Sequence, residues 1–231
     1  MKTSDRTGEI LSDLKFMGSK QNVEGMKRFG IQPDRALGIR TPQLRKYAKR
    51  LGKNHELAKE LWQTGIHEAR HLATLIDDPE KVTEKQMEAW AADIASWDIC
   101  DGTCSNLFDK THFAWKKAIE WTARKEEFVK RAGFVLMATL SVHDKKAPDE
   151  KFRQFFPYIE KEASDERNFV KKAVNWALRA IGKRNGALNI EAIEYAKRIY
   201  NQGSKSTRWI ATDALRELKS KKVQTRLAKK K

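Results

Sequence analysis

The chain has 231 residues, 40% hydrophobic and 34% charged, with a formal net charge of +16. That balance excludes a disordered chain, and the length suffices to bury a substantial core. No basic start followed by an apolar stretch is present, and no run nears membrane-spanning length, so no membrane partner is expected. With only five prolines and twelve glycines, the sequence favours long helices over many short strands.

Apolar spacing of 3.6 residues runs through almost every segment, and no convincing alternating strand is found. Thr41 as a cap and Pro42 at the first helical position predict a helix ending near Gly52. Leu57, Leu61 and Trp62 extend the pattern to Gly65. Ile66 to Ile76 predicts the next helix, stopped by Asp77-Asp78-Pro79. Further helices are predicted over Thr83 to Ile94, Trp97 to Phe108 and Phe113 to Ala123. Phe128-Val129-Lys130-Arg131-Ala132 returns 41 residues later as Phe169-Val170-Lys171-Lys172-Ala173, and Ala177-Leu178-Arg179 returns 37 later as Ala214-Leu215-Arg216. Periods near 40 are those of HEAT-type solenoids, whose stacked helix pairs share one core. The expectation is an all-α, HEAT-like helical-repeat solenoid with a concave basic face, spanning 1–218, followed by a basic tail over 219–231.

That tail holds seven Lys or Arg and no acid, which leaves +9 for the rest of the chain. A basic body reads as a binder of polyanions, nucleic acid above all, unless the charge serves solubility alone. Cys100 and Cys104, four apart, suggest neither a disulfide framework nor a four-cysteine zinc site and are expected to be reduced core thiols.

Three constellations bear chemistry. His67-Glu68-Ala69-Arg70-His71 is an H-E-x-x-H pattern, which in a zinc peptidase supplies two ligands and a base. Arg70 puts a cation inside the ligand turn, and downstream acids such as Glu88 belong to no third-ligand motif; no metal is therefore assigned. In Trp97-Asp98-Ile99-Cys100-Asp101, Trp97 and Asp101 share a helix face with Asp98 close by, a pairing that suits a cationic ligand but that taken alone favours a core indole with capping or solvated carboxylates. Lys172, Trp176, Arg179 and Lys183 form one stripe of three cations around an indole, suited to phosphate contact and stacking, or else a bordered apolar Trp. Arg131, one repeat earlier than Lys172, extends the track.

On Trp97-Asp98-x-x-Asp101 and the stretch from Lys172 to Arg179, in this order within a helical repeat, the chain resembles the bacterial DNA alkylation-repair glycosylases of the AlkD family. The similarity runs from about Phe29 through Gly38-Ile39-Arg40-Thr41-Pro42 to the end of the Trp176 helix. It implies hydrolysis of the N-glycosidic bond of positively charged N3- or N7-alkylated purines in double-stranded DNA, with the base left stacked. The resemblance implies Asp101 as the catalytic carboxylate, Trp97 and Trp176 flanking the lesion sugar, and Arg131 and Arg179 on the DNA backbone. Phe29 stands at a DNA-contacting place where the family's best-studied type has tyrosine. Ser96 replaces a second tryptophan, and Thr139 stands at a basic position. The reading needs no cofactor and expects a monomer in a bacterial cytoplasm, associated with the nucleoid. Alternatives are a non-catalytic repeat protein binding damaged or branched DNA, a scaffold for RNA or an acidic protein, and the zinc peptidase.

Overall fold

The computed structural model describes residues 3–31 and 35–229; Lys230 and Lys231 of the basic tail lie outside them. Every regular element among the described residues is helical, as the spacing predicted. The chain falls into two compact units, Met1–His112 and Phe113–Lys231.

Unit 1 contains α1 (Thr3–Met17), α2 (Lys20–Lys27), α3 (Thr41–Leu51), α4 (His55–Gln63), α5 (His67–Ile76), α6 (Glu84–Asp93) and α7 (Trp97–Asn106), closed by a 3₁₀ turn over Phe108–Lys110. Side chains start several of these helices by accepting from orphan N–H groups in the first turn: Ser19 from Asn22, Asn54 from Leu57 and Thr83 from Gln86. At α3 the expected cap moves by one. Thr41 is the first helical residue, and Arg40 takes the cap position, its N–H met by Gln43 Oε1 at 3.3 Å. Pro42 still falls in the first turn, where a missing N–H leaves no bond unmade. The core includes Leu14, Leu44, Leu57, Leu61 and Leu72 together with Trp62, whose ring stacks on Trp90 with centroids 4.1 Å apart.

Unit 2 contains α8 (Ala114–Glu120), α9 (Glu127–His143), α10 (Asp149–Arg153), α11 (Phe156–Lys161), α12 (Asn168–Gly182), α13 (Gly186–Asn201), α14 (Lys205–Leu218) and α15 (Lys221–Ala228). Short 3₁₀ turns over Trp121–Ala123 and Glu162–Ser164 follow α8 and α11. Helix α9 is apolar nearly all round and buried from Val129 to Ser141 except at Lys130, as a central helix must be. The sequence repeats stack upon themselves. Phe128 and Phe169 lie 5.5 Å apart, Arg131 reaches the Phe169 carbonyl, and Asn175 donates to Asp213, each pair 38 to 41 residues apart. Residues 221–228, read as tail, form α15, which buries Val223 and Leu227 and donates from Gln224 Nε2 to the Leu218 carbonyl at 2.6 Å.

Candidate functional site

The predicted site residues fall in both units, and each unit has its own geometry. In unit 1, α7 opens at Trp97 after the buried, extended Ser96. The Trp97 indole is held by Nε1–H donating to the Phe29 carbonyl at 2.9 Å, so the structure brings these two predicted residues together. The Phe29 ring itself is 68% exposed, a costly position for an aromatic group with no role in the core. Asp101 lies one turn beyond Trp97 on the same helix and is half-buried.

A cavity of about 540 Å³ lies beside them, lined among others by Phe29, Arg40, His67, Glu68, Trp97 and Asp98; Asp101 is not in its lining. The H-E-x-x-H motif meets this cavity, but the structure removes the peptidase reading. Glu68 is buried, and its carboxylate accepts the backbone N–H groups of Leu37 at 2.7 Å, Gly38 at 2.6 Å and Ile39 at 3.2 Å. A carboxylate so occupied cannot serve as the base for a metal-bound water. It instead pins the segment between α2 and α3, where Gly38 has φ +77° and a Cβ would stand 2.2 Å from the Ser19 carbonyl oxygen.

The objection raised by Arg70 also dissolves. Its side chain turns from the histidines to lie over the Trp62 ring at 5.1 Å and donates to the Asp93 carbonyl at 2.9 Å. The histidines converge on a residue that spacing did not connect to them. His67 Nε2 lies 2.8 Å and His71 Nε2 3.4 Å from Asp98 Oδ2. Burial by itself would raise the Asp98 carboxyl, but the imidazoles of His67 and His71 outweigh it and hold the group well below the usual carboxylate range. Cys100 and Cys104 are buried thiols not joined in a disulfide, and burial first, then Cys100, pushes the Cys104 thiol up.

In unit 2, the α12 stripe is present. Lys172 is exposed, while Trp176, Arg179 and the capping Lys183 are half-buried. Two of its cations carry partners that sequence reasoning missed: Arg179 pairs with Glu217 and, at 3.5 Å, Asp213, and Lys183 Nζ meets Glu217 at 2.6 Å. Burial tends to raise the Glu217 carboxyl, yet Lys183 and Arg179 together hold it below its ordinary value. Arg131 is buried, with Nη1 donating to the Phe169 carbonyl at 2.6 Å. Thr139 is buried on α9. Trp176 opens onto a second cavity of about 690 Å³ rimmed by Lys145, Lys183, Arg184 and Arg226. Arg226 comes from α15, so the presumed tail supplies part of this cationic rim.

A family model described as DNA alkylation repair enzyme matches residues 10–218. An uncharacterised protein of Listeria innocua is 26% identical over 195 residues, covering 83% of this chain and 85% of that one. Among solved structures, a protein of a new family related to the HEAT-like repeat DNA glycosylases, with affinity for branched DNA structures, matches with a TM-score of 0.75 at 20% identity, over 91% of this chain and 94% of that one. The fold is therefore all-α and HEAT-like, as the repeats implied. By the span of the family match, the chain belongs to the DNA alkylation repair enzyme family.

Proposed function

We propose that the chain is a monomeric DNA glycosylase that removes positively charged N3- or N7-alkylated purines from duplex DNA. The observation that carries this reading is the pairing on α7 of Asp101 with an indole, Trp97, that is fixed by its bond to the Phe29 carbonyl. An alkylated purine already carries the charge of a good leaving group. The C1′–N bond breaks with its electron pair going to the base, which becomes neutral, and the sugar is left as an oxocarbenium ion. Asp101 stabilises that cation, orients water onto C1′ and takes the proton the water loses. An indole face adds cation–π attraction of about 0.5–2 kcal/mol. No cofactor is needed for this step. Unit 2 supplies the grip on the DNA, with Trp176 as a second aromatic face and Lys172, Arg179 and Lys183 as phosphate partners; Arg131 supports that helix surface from within.

The test is release of free base from a duplex carrying N7-methylguanine. Wild type releases it, and Asp101→Asn binds the duplex but excises ~100-fold or more slowly. Full activity in that variant removes Asp101 from its role. A second reading is binding of branched or damaged DNA without excision. It is favoured by Ser96 in place of a second tryptophan and by the DNA affinity of the structurally similar protein. No release from wild type, with tight and salt-sensitive binding, would establish it instead.

A further inference from the structure

Two histidines one turn apart on a helix project their rings from one face, and a carboxylate from a facing helix completes a set of three donors. Unit 1 contains such a set, from α5 and α7. One ring nitrogen from each of His67 and His71 and a carboxylate oxygen of Asp98 all lie within 4.8 Å of one another. In a tetrahedral site with bonds of ~2.0–2.1 Å, neighbouring donors stand about 3.3 Å apart. The two histidine-to-Asp98 separations, 2.8 and 3.4 Å, bracket that value.

Two further features distinguish this cluster from an ordinary hydrogen-bonded network. Both imidazole nitrogens approach the same oxygen, Oδ2, while the buried Asp98 Oδ1 has no hydrogen-bond partner. A carboxylate serving only as an acceptor normally shares its donors between two oxygens, and leaving one buried and unmet costs about 1–3 kcal/mol. Donors converging on one point, with a spare oxygen beside it, are what a metal cation organises. The second feature is Gly102 on α7, where a Cβ would stand 2.9 Å from His71 Cε1 and 3.0 Å from Nδ1. Glycine in a helix costs roughly 1 kcal/mol relative to alanine, and here its bare backbone makes room for the ring.

We propose that His67, His71 and Asp98 form a binding site for one divalent first-row transition-metal ion, with Zn²⁺ as its expected occupant. Two histidines and one carboxylate leave a coordination position open. All three residues line the cavity beside Trp97 and Phe29, so the open position faces that cavity, where water or an anionic oxygen completes the shell. Glu68, committed to backbone N–H groups, takes no part, so the site is not a peptidase centre. The proposal is independent of base excision.

The test is titration of the full-length, untagged, chelator-treated protein with Zn²⁺ alone, followed by calorimetry and by metal analysis after dialysis. Co²⁺ provides a second readout through its visible absorption. Wild type is expected to retain one equivalent, to gain thermal stability with Zn²⁺, and to give the intense bands of a four-coordinate Co²⁺ centre. His71→Gln and Asp98→Asn weaken binding ~100-fold or more, beyond what loss of a supporting contact brings. His55→Gln leaves binding intact; it removes a different histidine–carboxylate pair, His55 with Asp77. Failure of wild type to take up one equivalent overturns the proposal, whatever the variants do. So does uptake unchanged in both triad variants.

Discussion

At the scale of single residues, the α12 stripe is not a row of idle cations. Glu217 ties Arg179 and Lys183 to α14, so in the proposed grip on DNA the phosphates would have to compete with a carboxylate already in place. Glu217→Gln should therefore strengthen duplex binding and steepen the fall of log K with log salt by about 0.9 for each cation released to a phosphate, as fluorescence anisotropy across a salt series would reveal. The same variant should lose stability. The Glu217 carboxyl titrates below its ordinary value in the fold, so its contribution is present above about pH 4.5 and drains away as the pH falls through the folded value. Urea unfolding at pH 7 and at pH 3 checks this: wild type and variant differ at the first, and the difference shrinks at the second. The cations were legible in the sequence from the i, i+4, i+7, i+11 stripe they share with Trp176. Their partners were not, because Glu217 lies 38 residues from Arg179 and meets it only once α12 and α14 pack.

At the scale of elements, the helices from α3 to α8 could be read from apolar spacing, with errors of a residue or two where 3₁₀ turns finish a helix. The predicted Trp97–Phe108 helix stops at Asn106, and Phe113–Ala123 divides into α8 and a 3₁₀ turn. The joint between α2 and α3 was less legible. Its Gly38-Ile39 segment is held by Glu68, which in the H-E-x-x-H pattern stands where a peptidase has its base. Gly38→Ala should cost about 2 kcal/mol or more in chemical denaturation, since the added Cβ meets both a left-handed backbone and the Ser19 carbonyl oxygen. Asp98 was noticed beside Trp97, yet its histidine partners lie 27 and 31 residues away on α5, and only helix packing brings them to it.

At the scale of the whole molecule, the 40-residue period was visible wherever repeats kept similar side chains, as at Phe128 and Phe169. It reappears in unit 2 as polar bonds spanning about one repeat: Arg153 to Glu191, Arg198 to Glu160 and Ser206 to Asp165. In unit 1 the spans vary more widely, from 31 residues for Trp62 to Asp93 and 32 for Thr74 to Asn106 up to 68 for Trp97 to Phe29. The last helix was hidden by its own charge. Among so many lysines, the pair Val223 and Leu227, four apart, is a short apolar signal, yet it seats α15 at the end of unit 2. A stack of helices has two raw ends, and each must be finished with a polar outer face. Helix α15 is such a finish: apolar within, cationic without. A chain ending at Leu218 should therefore unfold at lower temperature and self-associate through the uncovered end, visible as concentration-dependent mass in light scattering. The cationic outer face of α15 thus turns a surface that would stack on another molecule into one that repels it.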